Sequence, residues 1–131
     1  TAKQVEQMTL FDECREALSA DFNIVEGLAQ QEALGILNKY PLAKGSVTWS
    51  EIRHSDYESF DELLSANSVK NDDMFVFADD ASIPVFRSNL RLIAENIYDV
   101  TALSPKLFIF NDEVIIQPLF PTDMFRLGIK K

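Results

Sequence analysis

The chain has 131 residues, about one domain's worth, and 47% of them are hydrophobic, enough to build a core of its own. That composition excludes a disordered chain, a collagen-like repeat and a disulfide-stapled miniprotein. Against 12 Lys and Arg stand 21 Asp and Glu, a formal charge of −9; such a surface repels nucleic-acid phosphates and attracts basic proteins, whose association it speeds.

The single cysteine, Cys14, has no partner for an intramolecular disulfide, so the chain needs no oxidising compartment. Apolar runs such as Leu107 to Phe110 and Val114 to Ile116 fall far short of the roughly 20 residues that cross a bilayer. Thr1 to Met8 is polar and lacks the apolar stretch of a signal peptide. The expectation is a cytoplasmic protein with no membrane contact. Residues 1–8 are read as a tail, native or added ahead of the domain, and residues 9–131 as one domain.

The first helix is predicted from near Thr9. Leu10, Phe11, Cys14, Ala17 and Leu18 fall on one helical face, and Asp12 and Glu13 occupy the first turn, where the macrodipole favours carboxylates. Cys14 lies on that apolar stripe, so a buried, reduced thiol is expected rather than a reactive one. Phe22 to Val25 reads as a strand. A second helix follows from about Leu28 to Lys39, with Leu34, Leu37 and Tyr40 toward the core and Pro41 as its stop.

Gly45 to Trp49 alternates as a strand with Val47 and Trp49 on one face. Ser55 and Glu58 have the spacing of a capping box before a third helix. That helix turns Tyr57, Phe60, Leu63 and Leu64 inward, and Asp56, Glu58, Asp61 and Glu62 mainly outward. After the polar connection Asn67 to Asp73, Met74-Phe75-Val76-Phe77 suits a central strand buried on both faces.

Asp79 to Ser82 reads as a turn, and Pro84 interrupts regular structure. Leu90, Ile93, Ala94 and Ile97 mark a fourth helix, and Val100 to Leu103 a strand. Leu107 to Phe110 and Glu113 to Ile116 flank Asn111-Asp112 as a hairpin. Pro118 and Pro121 then limit further pairing, which suggests an edge or an exit from the sheet. The order α-β-α-β-α-β-α-β-β-β predicts an α/β chain of the α+β kind. It is a single domain whose mixed β-sheet of about five to six strands is covered by about four helices, with a C-terminal β-hairpin.

No constellation for catalysis emerges, and the expectation is no enzyme. His54, the one histidine, has Asp56, Ser50 and Ser55 nearby, but no nucleophile elbow surrounds the serines, and it reads as an exposed loop residue. One Cys and one His cannot build a structural zinc site. Asp72-Asp73 and Asp79-Asp80 lack the spacing of a calcium loop and read as solvated turns rather than a metal site. The four glycines are scattered, so neither a dinucleotide fingerprint nor a phosphate loop exists. No cofactor is expected, and no direct nucleic-acid binding.

Leu10-Phe11-Asp12-Glu13-Cys14 with Ala17-Leu18, the Gly45 to Trp49 strand with Ser50, Met74-Phe75-Val76-Phe77, Ile83-Pro84-Val85 and Asp99 to Ser104 resemble immunity proteins of bacterial contact-dependent growth inhibition systems. The resemblance spans about Thr9 to Ile116. It implies a protein made alongside a secreted toxin, which binds that toxin's C-terminal domain in the cytosol and blocks its active site or its route to substrate. It also implies that the toxin is often a nuclease, frequently one acting on tRNA. A basic, phosphate-holding surface is the electrostatic mate of an acidic chain. The alternative is an acidic regulatory or adaptor module that binds an unrelated protein.

The resemblance assigns no interface residues, since these proteins meet their toxins through divergent surfaces. Helix periodicity places Asp56, Glu58, Asp61 and Glu62 outward, with Asp72, Asp73, Asp79 and Asp80 nearby, as one acidic docking patch. Tyr57 is its candidate aromatic anchor, provided that it is exposed.

Overall fold

The most apolar stretches of the chain become the middle of a sheet. The structure, a computed structural model, describes residues 10–43, 46–67, 70, 72–78, 83–104, 106–119, 122 and 124–129. The strands in chain order are β1 (Phe22–Ile24), β2 (Leu42–Ala43), β3 (Ser46–Val47), β4 (Arg53–Tyr57), β5 (Asp73–Ala78), β6 (Phe86–Asn89), β7 (Leu107–Phe110), β8 (Val114–Pro118) and β9 (Phe125–Ile129). The helices are α1 (Leu10–Ala17), α2 (Leu28–Leu37), α3 (Phe60–Ala66), α4 (Leu90–Glu95) and α5 (Ile97–Thr101). Seven strands form one sheet in the order β1-β6-β5-β7-β8-β9-β4, and β2 and β3 pair as a separate ribbon. This is the expected single α+β domain. Every ladder is antiparallel, however, where alternation of helices and strands predicts a mixed sheet.

Both faces of the sheet are covered, and strand alternation decides which residue goes where. Along β5, Met74, Val76 and Ala78 enter a core shared with Cys14 and Leu18 of the α1 segment, Phe60 and Leu63 of α3, and Ile93, Ile97 and Val100 of α4 and α5. Phe75 and Phe77 point the other way, toward Leu37 and Tyr40 of the α2 segment and Val47 of β3. All of β7 is buried, as its apolar run requires of a strand covered on both sides. Burying a side chain such as Phe86, Phe110 or Ile115 contributes about 1.5–3 kcal/mol each.

Several boundaries differ from the sequence reading. Ser55 lies inside β4; the capping box sits four residues later, where Ser59 Oγ accepts from the Glu62 N–H at 3.1 Å and Glu62 Oε2 accepts from the Glu58 N–H at 3.3 Å. Asp56 and Tyr57 therefore belong to an edge strand, not to a helix. Val100 to Leu103 is not a strand: Ile97 and Val100 continue a helical stripe into the core through α5. The predicted fourth helix breaks in two at Asn96, whose Nδ2 donates to the Leu92 carbonyl at 3.0 Å and to the Ala17 carbonyl at 3.4 Å, a side-chain bond that competes with the helical ladder.

Of the predicted Gly45 to Trp49 strand, Ser46–Val47 is strand and Trp49 opens a 3-10 turn, while Gly45 lies outside the described residues. The β7–β8 hairpin turns on Asp112-Glu113, one residue beyond the predicted pair. Asn111 closes it, its Oδ1 accepting the N–H groups of Glu113 and Val114 at 2.8 and 2.9 Å. Pro118 ends β8, yet the chain returns as β9 and pairs along its whole length. The tail and the start of the first helix, residues 1–9, lie outside the described residues, as do Asp79 to Ser82 and Pro121.

Candidate functional site

The expected acidic patch is divided, and two arginines divide it. Arg87 on β6 reaches across both neighbouring strands. Its Nη1 donates to Asp21 Oδ1 at 2.8 Å and to Asn23 Oδ1 at 2.9 Å, its Nη2 to Asp21 Oδ2 at 3.1 Å, and its Nε to Asp73 Oδ1 at 3.1 Å. Asn89 adds a hydrogen bond to Asp21 Oδ2 at 2.9 Å. The Arg87 guanidinium, then Asn89, hold the Asp21 carboxyl down at about 2. Asp73 is thus tied into a structural network at the start of β5, beside exposed Asp72.

At the opposite edge, Arg126 on β9 pairs bidentately with Asp56 on β4, at 2.6 and 3.0 Å. This pairing lowers the Asp56 pKa. The Trp49 ring lies 5.5 Å from the same guanidinium, and its Nε1 donates to Gln117 Oε1 at 3.1 Å. Three strands separate β4 from β5, so Asp56 and Asp73 stand on the order of 19 Å apart across the sheet. Tyr57 is half-buried and its hydroxyl accepts a bond from Asn67 Nδ2 at 3.1 Å, so it is not an exposed anchor. Asp79 and Asp80 lie outside the described residues.

Glu58 and Asp61 have a different setting. They stand at the start of α3 on the wall of a groove of about 440 Å3, facing Glu95 and Tyr98 of the α4–α5 pair. Phe60 and Phe125, edge to face at 5.3 Å, and Ile97 line it with apolar surface. Glu62, the next carboxylate, is exposed but engaged in its own helix cap. Tyr98 is 76% exposed. Neither Glu95 nor Tyr98 was singled out by sequence reasoning. The available signal was the periodicity of Leu90, Ile93, Ala94 and Ile97, which leaves an aromatic ring on the polar face of the same helical stretch.

The residues weighed for chemistry are placed as follows. His54 is exposed on the edge strand β4, with Nδ1 3.1 Å from the Ile52 carbonyl and its ring against Trp49. Cys14 is buried, and burial, reinforced by the charge of Asp99, pushes its thiol up to about 12. Among the described residues no group of three His, Cys, Asp or Glu side chains could hold a metal ion. No helix among them is long and apolar enough to cross a membrane.

An α+β domain whose surface groove joins apolar walls, carboxylates and an exposed tyrosine has the form of a module that binds another protein. A profile of the family described as CdiI immunity protein, EcoliA0-like, matches residues 8–128, nearly the whole chain, and the chain belongs to that family. It is an immunity protein of a contact-dependent growth inhibition system, with a toxin-neutralising role exercised on a cognate toxin protein. No curated protein matches the chain.

Proposed function

We propose that the chain neutralises a basic, nucleic-acid-cutting toxin domain in the cytosol by covering the surface on which that domain holds its substrate. The observation that carries this reading is the charge of −9, together with groove carboxylates that no arginine in the described structure neutralises. A nuclease must hold phosphates and is therefore positive where it works; an acidic protein docks there fast and excludes the substrate. Binding alone does this, and the chain's own residues perform no chemistry. A tRNA is the substrate class that the family resemblance favours.

The test is to purify the cognate toxin C-terminal domain and titrate it with this chain while following cleavage of total tRNA. Stoichiometric loss of cleavage, with a one-to-one complex on gel filtration, is the expected result. A toxin domain that acts on no nucleic acid, or that keeps cutting at saturating immunity protein, would overturn the reading.

A further inference from the structure

The groove between α3 and the α4–α5 pair has walls of two chemistries. The buried rings and chain of Phe60, Ile97 and Phe125 form its floor, Ala94, Ala102 and Tyr98 supply the accessible apolar surface, and Glu58, Asp61 and Glu95 are exposed carboxylates along it. No Lys, Arg or His is among the described residues that line it. Elsewhere four carboxylates are held by arginines, Asp12 by Arg15, Asp21 and Asp73 by Arg87, and Asp56 by Arg126, while others such as Glu13, Glu16 and Glu26 are scattered over exposed surface with no apolar groove beside them among the described residues. The three groove carboxylates have no such partner among the described residues. Tyr98 adds a ring that is 76% exposed at the same place.

Apolar walls with an anionic border match one kind of side chain, a long aliphatic stem that ends in a cation. An exposed tyrosine face is a further favourable contact for that cation. An acidic or purely apolar segment would instead strip water from three carboxylates without replacing it, which is costly. A second copy of this chain, itself at −9, would meet the groove with charge of the same sign.

We propose that this groove is the seat of a lysine- or arginine-bearing segment of the toxin domain, with the cationic head among Glu58, Asp61 and Glu95 and the stem against Ala102 and Tyr98. This rests on the toxin-neutralising reading above and assigns that reading a location. The dispersed acidic field accelerates encounter, whereas the groove, where charge is desolvated against apolar surface, governs how long the complex lasts.

The test compares two triple variants of the full chain that change net charge equally, binding to immobilised cognate toxin domain. One is Glu58→Gln/Asp61→Asn/Glu95→Gln in the groove; the other is Glu13→Gln/Glu16→Gln/Glu26→Gln on exposed positions outside it. A third variant, Ala102→Trp, keeps every charge and fills the groove from its exposed wall. Circular dichroism and the thermal midpoint verify that each is folded. The expected result is an off-rate at least 30-fold faster for the groove triple and for Ala102→Trp, against less than about 3-fold for the outer triple. Equal effects of the two triples, or an Ala102→Trp complex as long-lived as wild type, would overturn the groove and leave the toxin-neutralising reading standing. A wild-type chain that does not bind the toxin domain overturns both.

Discussion

At the β1–β6–β5 edge of the sheet, Asp21 and Asp73 converge on one guanidinium, which also donates to Asn23, while Asn89 donates to Asp21. In the groove beside α3, Glu58, Asp61 and Glu95 face apolar walls and no cation among the described residues. Both regions are acidic, yet only the first is closed on itself. Arg87 joins strands that are distant in sequence, and its carboxylates are spent on holding them together. The groove carboxylates enter no ion pair among the described residues, and theirs is the charge that the proposed toxin segment would meet. An excess of acid over base is therefore not one property of this surface but two, and the position of the arginines separates them.

The largest effect should follow from removing the closing arginine. Arg87→Ala removes the guanidinium that Asp21 and Asp73 share, together with its hydrogen bonds to both carboxylates and to Asn23. A urea midpoint that falls accordingly, with the toxin off-rate unchanged, is the expected pattern. An off-rate that rises with the loss would place Arg87 at the interface rather than under the fold.

Acid should act through the same network. Asp21 titrates at about 2 in the folded chain, below the ordinary carboxylate value near 4; Asp56 is lowered too, by Arg126. A depressed folded pKa contributes stability that is complete above the unfolded pKa and lost as pH falls through the folded one. Stability measured by urea titration should thus decline from about pH 4 toward pH 2. The decline should be shallower in Arg87→Ala, which no longer holds the Asp21 pKa down. Parallel declines in the two proteins would assign the acid sensitivity to other groups.

Elements with strong local patterns were legible in the sequence, and those that depend on a distant partner were not. Leu107 to Phe110 and Met74 to Phe77 are apolar on both faces, so their burial between two layers follows from composition alone. Cys14 falls on a helical stripe and is buried as that stripe requires. By contrast, Phe86-Arg87-Ser88-Asn89 hides a strand because Ser88, a polar residue, takes a core position and is satisfied there by the Asp21 carbonyl at 2.7 Å. Arg53 to Tyr57 is polar because it is an edge, and it becomes a strand only through β9. Two S-x-x-E spacings occur in the same stretch, and that pairing selects Ser59 over Ser55 as the cap. Half of the groove was within reach: Glu58 and Asp61 were named for their outward positions, while Glu95 and Tyr98 required knowing that α4 and α5 lie opposite α3.

The smallest effect on the fold should come from the groove itself. Glu58, Asp61, Glu95 and Tyr98 are exposed, and exposed side chains outside caps and buried networks change stability by no more than about 0.5 kcal/mol when replaced. Asp61 is the most demanding of the four, because it lies in the first turn of α3. Losing a carboxylate there costs a few tenths of a kcal/mol through the macrodipole, and relief of repulsion among the groove carboxylates offsets part of that. The Glu58→Gln/Asp61→Asn/Glu95→Gln chain, and Tyr98→Ala separately, should therefore unfold in urea within about 0.5 kcal/mol of wild type. This sharpens the contrast with Arg87→Ala, which removes one side chain and is expected to cost more. A loss above about 1 kcal/mol in either groove variant would mean that these side chains support the packing of α3 against α4 and α5, and that their unpaired charge is incidental to binding.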